Sequence, residues 1–127
     1  MNPGSEGKAD MVVEAADCAL AMGSGSLSVL ATPRMMALME QAACAAVEAA
    51  LQPGQTTVGV HLDVEHMAAT PIGARVTASA VLERVEGRTL HLTLSAEDER
   101  ETIGRGSHRR VVVDAARFME KVQGKRK

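Results

Sequence analysis

Between residues 55 and 66 hydrophobic and polar positions alternate. Val58, Val60, Leu62 and Val64 fall on one face, and His61, Asp63 and Glu65 on the other, the period-two signature of a half-buried strand. Val76, Ala78, Ala80 and Leu82 repeat the pattern, as do Leu90, Leu92, Leu94 and Ala96. Glu86-Gly87-Arg88 between those two runs reads as a tight hairpin turn. A last strand is expected over residues 103–113, with Gly104 and Gly106 permitting a bend or a close approach. Upstream the period changes. Thr32-Pro33 is a helix-start signal, because Thr can cap free amides and Pro is favoured in the first turn. A helix is predicted over residues 32–51, stopped by Pro53-Gly54. It is apolar nearly all round, broken only by Arg34, Glu40, Gln41 and Glu48, so other structure should wrap it.

One buried helix followed by four long antiparallel strands is an α+β arrangement. The helix is the only element available to cover the apolar face of the sheet, and a sheet curled around a central helix is the hotdog fold. Residues 1–10 are polar and Gly-rich and read as a flexible tail. Residues 11–21 are a candidate first strand, and Gly23-Ser24-Gly25-Ser26 a loop. A single domain is expected over residues 11–119. Residues 117–127 carry no evident core pattern, and 120–127 read as a basic C-terminal tail.

Composition narrows the function. The chain has 127 residues, enough for one core, with 46% hydrophobic residues and a net charge of −2. That balance lacks the basic field a nucleic-acid binder needs. Its only aromatic is Phe118, which removes base-stacking platforms, and the core must be built from Val, Leu, Ala and eight Met. Small side chains bury little area, so a second copy is expected to supply the missing burial as a homodimer. No apolar run reaches the ~20 residues of a membrane span. Cys18 and Cys44 are too few for a disulfide framework, and a cytoplasmic setting is expected.

His66 continues the phase of Val58 to Val64, which turns its side chain toward the helix at the rim of the apolar face. Glu40 is an isolated carboxylate among Met39, Ala42, Ala43 and Cys44. It lies two turns after Thr32 and about 80° round the helix, so both can face the same side of the sheet. A carboxylate and an imidazole in one partly dry pocket are suited to acyl hydrolysis. Each residue alone has a plainer reading: Thr32 as a helix cap, Glu40 in a structural ion pair, His66 as a satisfied rim histidine. A metal site drawn from His61, Asp63, His66, His91 and His108 is opposed by strand phase, since His61 and Asp63 face away from His66. Cys44 reads as a core thiol. Met35, Met36 and Met39 read as core or acyl-pocket lining.

The segments LATPRMMALMEQAA, QPGQTTVGVHLDVEHMAATPIG and VEGRTLHLTLSAEDERETIGRGSHRR resemble the fluoroacetyl-CoA thioesterase family from about residue 30 to 110. The resemblance implies a hotdog thioesterase acting as a dimer, without a metal or cofactor, coenzyme A being part of the substrate. The family's active-site Thr, Glu and His match Thr32, Glu40 and His66, and its functional Gly and Arg match Gly59 and Arg110. On that resemblance Glu40 acts on the thioester carbon, as nucleophile or as general base for water. His66 orients the water or moves protons, Thr32 donates a hydrogen bond, and amides near Gly59 stabilise the oxyanion. The site is expected at a dimer interface, with Thr32 and Glu40 from one subunit and His66 from the other.

The aromatic lid that selects the fluorinated acyl group in that family falls here on Ala21-Met22-Gly23-Ser24-Gly25-Ser26, so a different acyl preference is expected. Arg110, or Arg75, Arg88, Arg105 and Arg109, are candidates for the coenzyme A phosphates. The competing function is a non-catalytic hotdog module that binds acyl-CoA or another small acyl ligand. A hotdog dehydratase or hydratase would want a different His-and-acid arrangement on the helix.

Overall fold

In the computed structural model, which describes residues 1–126, five antiparallel strands form one sheet in the order β1-β3-β4-β5-β2. The strands are β1 Glu6–Val12, β2 Gln55–His66, β3 Arg75–Glu86, β4 Thr89–Glu97 and β5 Thr102–Asp114. The long helix is α2, Thr32–Val47, prolonged by a 3-10 turn over Glu48–Ala50. It lies across the concave face. Met35, Leu38, Met39, Ala42, Ala43 and Val47 recur at helical spacing and are fully enclosed. They meet Val76, Ala78, Ala80 and Leu82 of β3 and Leu90, Leu92, Leu94 and Ala96 of β4, the two runs whose alternation assigned them to this face. Burying a side chain such as Leu38 or Leu82 stabilises by roughly 1.5–3 kcal/mol. This is the hotdog fold.

The N-terminal expectation is corrected. Residues 6–10 are not a flexible tail but the greater part of β1, an edge strand paired with β3 from Glu6 opposite Val81 to Val12 opposite Arg75. The signal is Gly7, where a Cβ would collide with the backbone of Ala42, Ala45 and Ala46; only glycine lets the helix lie directly on the strand. Of residues 11–21, only Met11 and Val12 are strand. The rest include a 3-10 turn, Ala15–Asp17, and the start of the short helix α1, Ala19–Met22. The C-terminal reading is corrected too, because Ala115–Gln123 form a third helix, α3, capped by the Asp114 carboxylate, which accepts from the Arg117 amide. Lys127, the last residue of the expected basic tail, lies outside the described residues.

Two details of α2 and β2 differ from the periodic reading. The helix is not wrapped on all sides: Ala37, Gln41 and Ala45 form an open strip along it. In β2 the register against β5 shifts between Gly59 and His61, a β-bulge that leaves Val60 56% exposed. Before the bulge Thr57 and Gly59 face the helix, where simple alternation would put Val58 and Val60; after it Leu62, Val64 and His66 do.

Candidate active site

The chain just before α2 is stitched to the loop that follows β2. The Leu30 amide donates to the Thr70 carbonyl at 2.9 Å, and Val29 bridges Pro71. The Ala31 amide donates to the Asp17 carbonyl at 2.9 Å, and the Asp17 carboxylate takes Arg34 at 3.0 Å. Thr70, fully buried, sends its hydroxyl to Asp98 at 2.9 Å. These ties fix the start of α2 against the end of β2, and they bring Thr32 Oγ1 within 2.7 Å of His66 Nδ1. The capping role foreseen for Thr32 is not present. The N-cap is Ala31, with no side-chain cap bond, so the hydroxyl is free for the imidazole.

Burial holds the pKa of His66 below its ordinary 6.5, opposed by a backbone contact with Ala68. The imidazole is therefore neutral at neutral pH, with one nitrogen a donor and the other an acceptor. Its Nε2 is buried and has no partner among the described residues. Thr32 and His66 line a pocket of about 320 Å³ with Ala19, Ser24, Val29 and Leu30 on one side and Met67, Ala68 and Ala69 on the other. The position of the expected aromatic lid is filled by α1 and the loop after it.

Glu40 lies elsewhere in the chain. Its carboxylate sits over Gly59, where a Cβ would stand 2.6 Å from Oε2, and accepts from Arg110 at 3.3 Å. Its side chain is 39% exposed, against 7% for Arg110. Arg110 is fully engaged: Nε donates to Thr57 Oγ1 at 2.9 Å, one terminal nitrogen to the Thr57 carbonyl at 3.1 Å, and the other to both Glu40 and His108. A guanidinium so enclosed does not face outward to a phosphate, which corrects that part of the sequence reading. Arg105 and Arg109, its neighbours of opposite phase, are the exposed ones.

The five expected residues thus form two clusters, Thr32 with His66 and Glu40 with Gly59 and Arg110. No hydrogen bond joins the two among the described residues. Glu40 is about 12 Å along the helix axis from Thr32, and Gly59 and His66 are separated by about 23 Å of extended strand. Thr32 and His66 pair within one chain, which overturns the expected division that gave His66 to the opposite subunit. Sequence reasoning weighed His108 only as a metal candidate; it is 1% exposed and in contact with Arg110. Its signal was the inward stripe of β5, where Gly106, His108 and Arg110 alternate with exposed Arg105, Ser107 and Arg109. Of the other histidines, His61 is exposed and His91 pairs with Glu86 at 2.9 Å.

Against known families, residues 13–116 match FlK, the fluoroacetyl-CoA-specific thioesterases. The chain belongs to this family. It is 43% identical over 97 residues to the fluoroacetyl-CoA thioesterase of Streptantibioticus cattleyicolor, covering 76% of this chain and 70% of the relative. A solved structure of a point variant of the fluoroacetyl-CoA thioesterase FlK in complex with acetyl-CoA superposes with a TM-score of 0.93 at 36% identity, covering 98% of each chain. A thioesterase superfamily member from Thermus thermophilus shares the fold at TM-score 0.91 and 24% identity, over 98% of this chain and 93% of that one. The chain is therefore a homologue of an acyl-CoA thioesterase, built on the same sheet and helix.

Proposed function

We propose that the protein hydrolyses acyl-CoA thioesters bearing a short acyl group, without a metal, at a site completed by two copies of the chain. Thr32 and His66 come from one copy, and Glu40, backed by Arg110 and Gly59, from the other. The observation that carries the reading is the 2.7 Å hydrogen bond between Thr32 and His66 at a small pocket in a chain of this family. Three features support the division between copies. The two clusters lie too far apart within one chain to act on one bond. The strip Ala37, Gln41 and Ala45 leaves apolar helix surface uncovered, and β2 stands at the sheet edge with one side unpaired. A homodimer answers both.

In this site the Glu40 carboxylate either draws the proton from a water that attacks the thioester carbonyl carbon, or attacks that carbon itself to give a mixed anhydride, which water then hydrolyses to the free acid and the restored carboxylate. The C–S bond breaks, and coenzyme A leaves as its thiolate, which takes a proton before release. His66, neutral and with Nε2 unpartnered, holds the water or passes that proton. The Thr32 hydroxyl fixes the ring. Alanine, serine, valine and leucine side chains line the pocket, which suits a small aliphatic acyl group; nothing in its lining offers the aromatic contact expected of a fluoroacetyl-selective lid. The two free cysteines, Cys18 buried and Cys44 half-buried, accord with the cytoplasm.

The test is a panel of acyl-CoAs with a thiol-detecting reagent. Short acyl-CoAs should release free coenzyme A, and Glu40→Gln should lower kcat by at least about 10²-fold while the protein stays folded. Undiminished turnover by Glu40→Gln would refute the assignment of Glu40, and no thiol release from any acyl-CoA would favour the non-catalytic binding module.

A further inference from the structure

His108 is the one histidine in full burial, and both of its ring nitrogens are engaged. Nδ1 lies 2.7 Å from the His61 carbonyl oxygen. A carbonyl only accepts, so Nδ1 carries the proton. Nε2 lies 3.2 Å from a terminal nitrogen of Arg110. A guanidinium only donates, so Nε2 presents its lone pair. Two independent neighbours therefore require the same neutral tautomer. Resting on the composite site proposed above, we propose that His108 is a positioning residue. Anchored to the bulge of β2 through His61, its Nε2 lone pair holds the Arg110 guanidinium in the orientation that faces Glu40.

The geometry leaves Arg110 little freedom. Two of its nitrogens are committed to Thr57, and the third is shared between His108 at 3.2 Å and Glu40 at 3.3 Å. Without an acceptor at the His108 position, that nitrogen turns wholly to the carboxylate or swings toward the space vacated. Either movement relocates a full positive charge beside the group that acts on the thioester. Protonation of His108 has the same effect, because it would set an imidazolium against the guanidinium. Burial and the Arg110 charge hold its pKa below the ordinary 6.5, against the His61 carbonyl bond and the charge of Glu40, which raise it. The charged or titratable groups around it are Arg110 on β5, Glu40 on α2 and His61 on β2; on β4 it faces Leu92.

Two substitutions separate this role from a structural one. A glutamine amide reaches the position of Nε2 and can offer its oxygen to Arg110, whereas an asparagine amide reaches only that of Nδ1 and can keep the bond to His61. His108→Gln should hold kcat within about threefold of wild type. His108→Asn should lose about tenfold or more in kcat with KM little changed, and its acid limb should lose the contribution of His108. Equal kcat in both variants, or full activity in His108→Asn, overturns the proposal. A reading independent of catalysis is the long-range 15N–1H spectrum of the imidazoles. His108 should appear as the Nδ1–H tautomer with a bare Nε2 at pH 7. An Nε2–H tautomer overturns the inference even in an active enzyme, and the Nδ1–H tautomer supports it even where the acyl-CoA panel yields no thiol.

Discussion

Gly59→Ala tests the site at its tightest point. A Cβ at this position would stand 2.6 Å from Glu40 Oε2 and 3.2 Å from both Arg110 and His108, whereas ordinary contact begins at 3.4 Å. The carboxylate is the flexible end of a half-exposed side chain, so it gives way first, retreating by roughly 0.8 Å. Displacement of about 1 Å in a reacting group costs on the order of 10²-fold, so kcat should fall on the order of 10- to 100-fold, about 1.4–2.7 kcal/mol in activation free energy. Stability should change by less than about 1 kcal/mol, because no backbone has to move. Steady-state release of coenzyme A gives kcat, and a thermal melt of the same sample verifies folding. A folded Gly59→Ala variant with kcat within twofold of wild type would refute the claim that the missing side chain makes room for the Glu40 carboxylate.

The composite site predicts complementation. Glu40→Gln and His66→Ala should each be inactive as homodimers, yet a mixture refolded together should recover about a quarter of wild-type activity, since half the dimers are mixed and each holds one intact site; no recovery would assign both residues to one chain's site. The pH profile follows from His66. Its depressed pKa keeps the neutral ring down to pH 6.5 and below, so kcat/KM should stay level through neutrality and fall only beneath pH 6.5, and a limb centred above 6.5 would contradict it. The same sign governs stability, because His66 and His108 both bind fewer protons folded than unfolded. Their contribution is present above about pH 6.5 and is lost as pH falls below it, which denaturant melts at pH 5 and 7.5 would measure. Finally, Gly7→Val drives a side chain into the backbone of α2 and should destabilise by about 3 kcal/mol or more; an unchanged melt would contradict the direct seating of the helix on β1.

The sheet strands β3 and β4 were legible because their inward residues obey the simple rule that apolar side chains face the core. The edges were not. Residues 6–10 read as tail because Gly, Lys and Asp lack strand propensity; their place is set by tertiary contact, in which Gly7 accepts the helix. Thr32, Glu40 and His66 could be picked out as chemistry-bearing, but sequence spacing placed them together when the chain separates Glu40 from the other two. Helical phase fixes direction and not distance, and the rise from Thr32 to Glu40 outruns the reach of a side chain. His108, weighed only as a metal candidate, and Arg110, named only through the family resemblance, were not legible as buried residues for the opposite reason. They invert the hydrophobic rule, occupying the helix face of β5 where a core pattern would put aliphatic residues, and they are tolerated there because each polar atom finds a partner.

The bulge at Val60 has a further consequence for how this fold can be altered. It makes β2 two half-strands of opposite phase, one presenting Gly59 and the other His66 to the helix. Straightening the bulge with all of its residues kept would restore simple alternation, and one half would then rotate its functional residue to the outer face. Deleting Val60 would instead remove the one residue left without a partner between Gly59, opposite Arg110, and His61, opposite Arg109, and would keep both halves on the helix face. Chimeras that exchange β2 among relatives must keep the residue count of the strand in step with its bulge, and a designer who straightens it without deleting a residue will keep a folded sheet with half of its site facing outward.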